Sequence, residues 1–144
     1  MALTVDRPED LIDALNDGIP YKNLIIRNYS SINQLILKNL DVKRFLNQIE
    51  TLTIHRFPSF EKNRMNFFTN CFNVKKLMIK GYASITLSSE EFLFLLELTT
   101  LEEFCIYGDL EIDGEVIMNL LHMANMRRLT IVTDYTEIYE DFAE

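Results

Sequence analysis

The stretch VKKLMIKG, Val74 to Gly81, has a near echo in MRRLTIVT, Met126 to Thr133, with the Leu-x-Ile centre set 52 residues further on. EEFCIYGD, Glu102 to Asp109, lies between them and carries Phe104 and Ile106 in the same places, so the interval divides into 27 and 25. Reading backwards adds Leu52-Thr53-Ile54, Leu35-Ile36-Leu37, Leu24-Ile25-Ile26 and Leu3-Thr4-Val5. The seven units begin at 3, 24, 35, 52, 77, 104 and 129, with steps of 21, 11, 17, 25, 27 and 25. An apolar residue stands three places before each later unit, at Ile32, Ile49, Val74, Leu101 and Met126. A fixed phrase at such a period constrains the fold more than any other feature of the chain.

Residues two apart share one face of a strand, and the residue between them points the other way. A two-residue apolar face is too small to stand alone, so each unit must bury it against its neighbours. Parallel strands require a crossover, normally a helix, and steps of 25 to 27 residues leave room for one. The expected fold class is therefore α/β, a solenoid with short parallel strands on the concave face and helices on the convex face.

Several intervals carry helix signals. Pro8 opens a short helix with Leu11, Ile12 and Leu15 on one face, closed near Gly18-Ile19-Pro20. DVKRFLNQI predicts a turn or two with Val42, Phe45, Leu46 and Ile49 inward. Pro58 and Ser59 are placed to open a helix containing Met65, Phe68 and Cys71 or Phe72. Ser88-Ser89-Glu90-Glu91 reads as a capping box before FLFLLEL. Asp113 is a candidate cap for a helix through Val116, Ile117, Leu120 and Leu121. The 11-residue step has no room for a helix; it is either a tight parallel return or a hairpin between 24–26 and 35–37.

Composition sets the outer limits. With 144 residues, 48% hydrophobic and 25% charged, and only three prolines and four glycines, the chain reads as one domain, 1–144. The net charge of −8 argues against non-specific nucleic-acid binding, which depends on an excess of Lys and Arg. The longest apolar run, Phe92 to Leu96, is too short to cross a bilayer, so no membrane partner is expected. Asp6, Glu9 and Asp10 interrupt the place of a signal-peptide core, and two cysteines with six methionines fit a reducing intracellular setting, cytoplasmic or nuclear. The acidic end, 134–144, is expected to be a terminal cap or tail.

The phrases LTIHRF, KKLMIKG, EEFCIYG and RRLTIVT resemble irregular leucine-rich repeats of the strand-helix kind. They are similar to the ribonuclease-inhibitor-like arrays of F-box substrate receptors and to the domains that accompany F-boxes in nematodes. The resemblance covers residues 49 to 133 best. It implies a protein–protein interaction module, the recognition part of a ubiquitin-ligase receptor. The chain departs from the pattern in lacking, in most units, the Asn that follows Leu-x-Leu in standard repeats, and no F-box-like segment is apparent at its amino end.

Strand residues pointing away from the core would form the binding surface. One outward column holds Ile25, Ile36, Thr53, Met78, Cys105 and Thr130, and the next holds Arg27, Lys38, His55, Lys80, Tyr107 and Val132. Basic groups gathered in one column of an acidic protein point to a partner with an acidic segment. The candidate contacts are Arg27, Ile36, Lys38, His55, Met78, Lys80, Cys105 and Tyr107. The plainer alternative is that these charges only solvate the sheet. A second surface is the 90–98 helix, where Leu93, Phe94 and Leu98 widen the apolar arc; it is either buried or an assembly contact, including a homodimer.

No catalytic, cofactor or metal site is expected. His55 and His122 belong to different elements, two thiols and two histidines sit at positions incompatible with one zinc site, and Gly81, Gly108 and Gly114 follow no phosphate-loop spacing.

Overall fold

The computed structural model describes residues 2–28, 38–57, 68, 70–71, 73–81, 85–87, 95–108, 110–132 and 137–141. The repeated phrase becomes a ladder of strands: β1 (Ala2–Val5), β2 (Asn23–Ile26), β3 (Thr51–Phe57), β4 (Lys76–Gly81), β6 (Glu103–Tyr107) and β8 (Arg128–Val132). These lie side by side in that order, each parallel to the next. β9 (Glu137–Asp141) pairs antiparallel with β8 and ends the sheet. β5 (Ile85–Leu87) and β7 (Leu110–Ile112), which follow β4 and β6, form a second, two-stranded parallel sheet. The fold class is α/β.

Register reproduces the phrase residue by residue. Leu3, Leu24, Leu52, Leu77, Phe104 and Leu129 stand opposite one another, as do Val5, Ile26, Ile54, Ile79, Ile106 and Ile131. All but Leu3 are buried, because a one-residue slip would turn every one of these side chains to the other face. Tyr21, Ile49, Val74, Leu101 and Met126, each three residues before a strand's leading apolar residue, are buried too.

The 35–37 unit, expected to form a parallel return or a hairpin with 24–26, lies outside the described residues. β2 uses one edge for β1 and the other for β3. The interval from Leu24 to Leu52 is thereby a single step, comparable in length to those after it.

Helix α2 (Leu40–Asn47) occupies that step. Its cap is Asn39, whose side chain accepts from the backbone N–H groups of Asp41 (2.9 Å) and Val42 (3.3 Å), leaving two fewer unsatisfied donors. Val42, Phe45, Leu46 and Ile49 are buried as their spacing predicts. Helix α1 (Pro8–Asp17) starts at Pro8, and the Asp10 carboxylate accepts from the N–H groups of Asp6 (2.9 Å) and Arg7 (3.1 Å). It stops at Gly18, whose φ of 67° is left-handed, the conformation an L side chain resists. Its inward face is Leu11 and Ala14, with Leu15 partly buried against the same core; of the expected Leu11, Ile12 and Leu15 only Ile12 is turned outward. Helix α3 (Gly114–Leu121) is capped by Asp113, which accepts from the Glu115 N–H at 3.0 Å, and buries Val116 and Leu120.

Phe68 and Cys71, from the interval expected to be helical after Pro58, are fully buried, as are Leu95 and Leu98 (2% exposed) from the 90–98 segment. Met65, Phe72, the 88–91 capping box, Phe92, Leu93 and Phe94 lie outside the described residues. Phe68, Cys71, Leu95 and Leu98 belong with the buried strand and helix side chains to one core on the Leu/Ile face of the sheet. No helix among the described residues is long and apolar enough to cross a membrane.

Polar ladders tie the layers together where the strands begin. Lys22, Glu50, Lys75 and Glu102 each offer a carbonyl to two successive N–H groups of the next layer, ending at Arg127 and Arg128, at 2.7–3.1 Å. Four residues before the leading apolar position stand Gln48, Asn73, Thr100 and Asn125. They donate to the carbonyls of Tyr21 (3.1 Å), Asn47 (2.5 Å), Val74 (2.8 Å) and Thr99 (2.6 Å) in the layer before. Ion pairs run alongside: Glu50 with Lys75 (3.4 Å), Lys76 with Glu103 (3.5 Å), Glu102 with Arg127 (3.4 Å) and Glu103 with Arg128 (3.9 Å). The consecutive like-charged residues Lys75-Lys76, Glu102-Glu103 and Arg127-Arg128 thus find opposite charges in neighbouring layers. Being solvent-exposed, each contributes little on its own, about 0–1 kcal/mol.

Candidate functional site

The sheet face away from the Leu/Ile core carries the alternate residues. Thr4, Ile25, Thr53, Met78, Cys105 and Thr130 form one in-register column. Ile25, Thr53 and Met78 are half-buried, but Cys105 is only 9% exposed and Thr130 6%. Cys105, expected on the open surface, is therefore closed off. The apolar, accessible part of this column runs from β2 to β4.

The second column begins with Arg27, whose N–H donates to the Val5 carbonyl at 2.9 Å, and continues with His55; Lys80, Tyr107 and Val132 follow as direct partners. Arg27 and Lys80 are exposed; His55 and Tyr107 are half-buried. The His55 ring senses its neighbours: burial first, then the charges of Lys80 and Arg27, hold its pKa below the ordinary value, so the neutral imidazole is favoured. Arg27, His55 and Lys80 thus come together across β2, β3 and β4, with Met78 and Tyr107 beside them. Lys38 does not join them. It is an exposed turn residue immediately before the Asn39 cap of α2. Ile36 lies outside the described residues.

Arg56 is a participant that alternation alone misplaces. Leu52 and Ile54 point inward, and strict alternation would send Arg56 inward as well. Instead β3 carries one extra residue between the pairs Ile54–Ile79 and Phe57–Gly81. The bulge returns Phe57 to the core, fully buried edge-to-face against Phe68 at 6.0 Å between ring centroids. Arg56 stays exposed at a φ of +54°, in the left-handed region. The signal in the sequence is a charge at a core position followed by an aromatic one place late. Gly108 marks the end of β6 similarly: its φ is +144°, and a side chain there would meet the Gly81 backbone at 3.4 Å.

Beside the bulge an open cleft of about 640 Å³ is lined by Thr4, Asp6, Ile25, Arg27, Asn28, His55 and Arg56. Its charge is mainly positive, with Asp6 4.0 Å from the Arg27 guanidinium. Such a cleft attracts anions. The thiols stand apart: Cys71 is fully buried, which pushes its pKa up to about 12 and keeps it from acting as a thiolate. His122 closes α3, its Nδ1 2.6 Å from the Met118 carbonyl oxygen, far along the chain from His55.

Comparison of the chain with protein-family models, curated proteins and solved structures finds no match.

Proposed function

We propose that the chain is a leucine-rich-repeat solenoid, strands concave and helices convex, that serves as a non-catalytic protein–protein interaction module. Its outward strand residues receive an acidic segment of a partner protein. Arg27 and Lys80 supply the positive charge, with the neutral His55 imidazole on the strand between them, and Ile25, Met78 and Tyr107 supply apolar contact. The observation that carries this reading is the pair of exposed cations, Arg27 just after β2 and Lys80 on β4, on either side of His55 in a protein whose net charge is −8. Solvation of the sheet alone does not require cations to interleave with half-buried apolar side chains, as Arg27 and Lys80 do with Ile25, Met78 and Tyr107. Charge at such a surface guides encounter and selects partners, while the apolar and aromatic contacts hold the complex.

The test is capture of partners from cell extract by the tagged chain, comparing Lys80→Glu and Arg27→Glu with Arg44→Glu on α2. Reversal on the face should remove partners that the α2 reversal retains, with circular dichroism unchanged. Equal capture by all three variants removes the proposal. In its fuller form the module is the recognition part of a ubiquitin-ligase receptor; absence of ligase subunits among the captured proteins removes that step alone.

A further inference from the structure

The cleft at the β3 bulge refines the proposed recognition face and rests on that reading. We propose that it is a phosphate-reading pocket, taking the dianionic phosphate of a phosphorylated side chain on the partner segment between Arg27 and Arg56, with His55 alongside.

The first argument is the identity of the residue in the left-handed position. Burial of Phe57 accounts for the bulge itself. It does not account for arginine at φ +54°, where glycine fits without steric cost and an L residue does not. Strained positions of this kind concentrate where a side chain must be aimed at a ligand. Arg56 lines the same cleft as Arg27 and His55.

The second argument is charge. Two guanidinium groups are permanently ionised, and Lys80 adds its field at His55. One carboxylate balances one of them, whereas a phosphomonoester carries a charge of about −1.5 to −2 at neutral pH and has three acceptor oxygens. Planar guanidinium forks match those oxygens in pairs. Asn28 and Thr4 are the remaining polar residues of the lining. Asp6 is the single acid among the described lining residues. Its pairing with Arg27 is at 4.0 Å, and both side chains are more than half exposed, so a dianion displaces it at little cost.

The experiment titrates the full chain with inorganic phosphate and, separately, with acetate at equal ionic strength, following the Arg Nε–H and His ring signals by NMR. Saturable shifts at Arg27, Arg56 and His55, about tenfold tighter for phosphate than for acetate, are expected from the second charge and paired forks. They should disappear in Arg56→Gln, persist in Arg44→Gln, and tighten by up to about fivefold in Asp6→Asn, where the competing carboxylate is gone. Indistinguishable, non-saturating shifts for the two anions, or undiminished phosphate binding by folded Arg56→Gln, overturn the proposal. A second arm compares blocked Ala-phosphoserine-Ala and Ala-Glu-Ala tripeptides. Tighter binding of the phosphorylated one supports a protein source; binding of free phosphate without either peptide overturns it. Failure here with partner capture still sensitive to Lys80→Glu sinks the phosphate pocket and leaves the recognition face standing.

Discussion

Replacing Arg56 with glycine and, in parallel, with alanine isolates the backbone at the bulge. At an ordinary strand position glycine is the less stable of the two by roughly 0.5–1 kcal/mol, because the unfolded chain gains freedom. At φ +54° the order should reverse. An L residue in the left-handed region costs roughly 1–2 kcal/mol, which alanine retains and glycine escapes. Both variants lose the same exposed guanidinium, so its interactions cancel in the comparison. The expected outcome is Arg56→Gly more stable than Arg56→Ala by about 0.5–1 kcal/mol, or roughly 2–4 °C in Tm for a chain of this size. Urea titrations followed by circular dichroism measure it, provided the two variants share one denaturant slope. A glycine variant equal to or weaker than the alanine variant refutes the reasoning, since it means that no left-handed strain exists at residue 56.

Other consequences are equally direct. Leu77→Ala should cost about 2–5 kcal/mol, since Leu77 is fully buried between Leu52 and Phe104; a loss near zero by the same titration contradicts its place in the ladder. Thr100→Val keeps shape but deletes the donor to the Val74 carbonyl, and should lower stability by about 1 kcal/mol in thermal denaturation. Cys71 should resist iodoacetamide in the native protein and react once urea unfolds it, as mass spectrometry of the labelled peptide would report. Asp10 is held below its ordinary carboxyl pKa of 3.8, first by the backbone hydrogen bond from Asp6 and then by that from Arg7. Its stabilisation is therefore present above pH 3.8 and lost as pH falls through the lower folded value. Asp10→Asn should be the weaker protein at neutral pH and approach the parent in acid, by urea midpoints; a constant difference would disprove the linkage.

Much of the architecture was legible because it is written in local pattern. The Leu-x-Ile phrase repeats at intervals that only parallel crossovers satisfy, and the six matching strands take one register from Leu3 to Leu129. Asp113, Pro8, Gly18 and the Val42-Phe45-Leu46-Ile49 set declare helix ends and faces through capping and periodicity. The side-chain ladder of Gln48, Asn73, Thr100 and Asn125 was equally readable, since it keeps a constant offset from each strand.

What the chain alone determined was which side chains need burial and how often, since apolar spacing is a property of the local backbone. Which strand lies beside which was decided only in three dimensions: Leu35-Ile36-Leu37 carries the phrase, yet β2 hydrogen-bonds directly to β3, and Lys38 falls at a helix start instead of on the sheet. The bulge is likewise tertiary. Burying Phe57 against Phe68 outweighs strict alternation, and that competition between distant apolar contacts and local backbone preference leaves Arg56 exposed at the cleft that Arg27 and His55 also line.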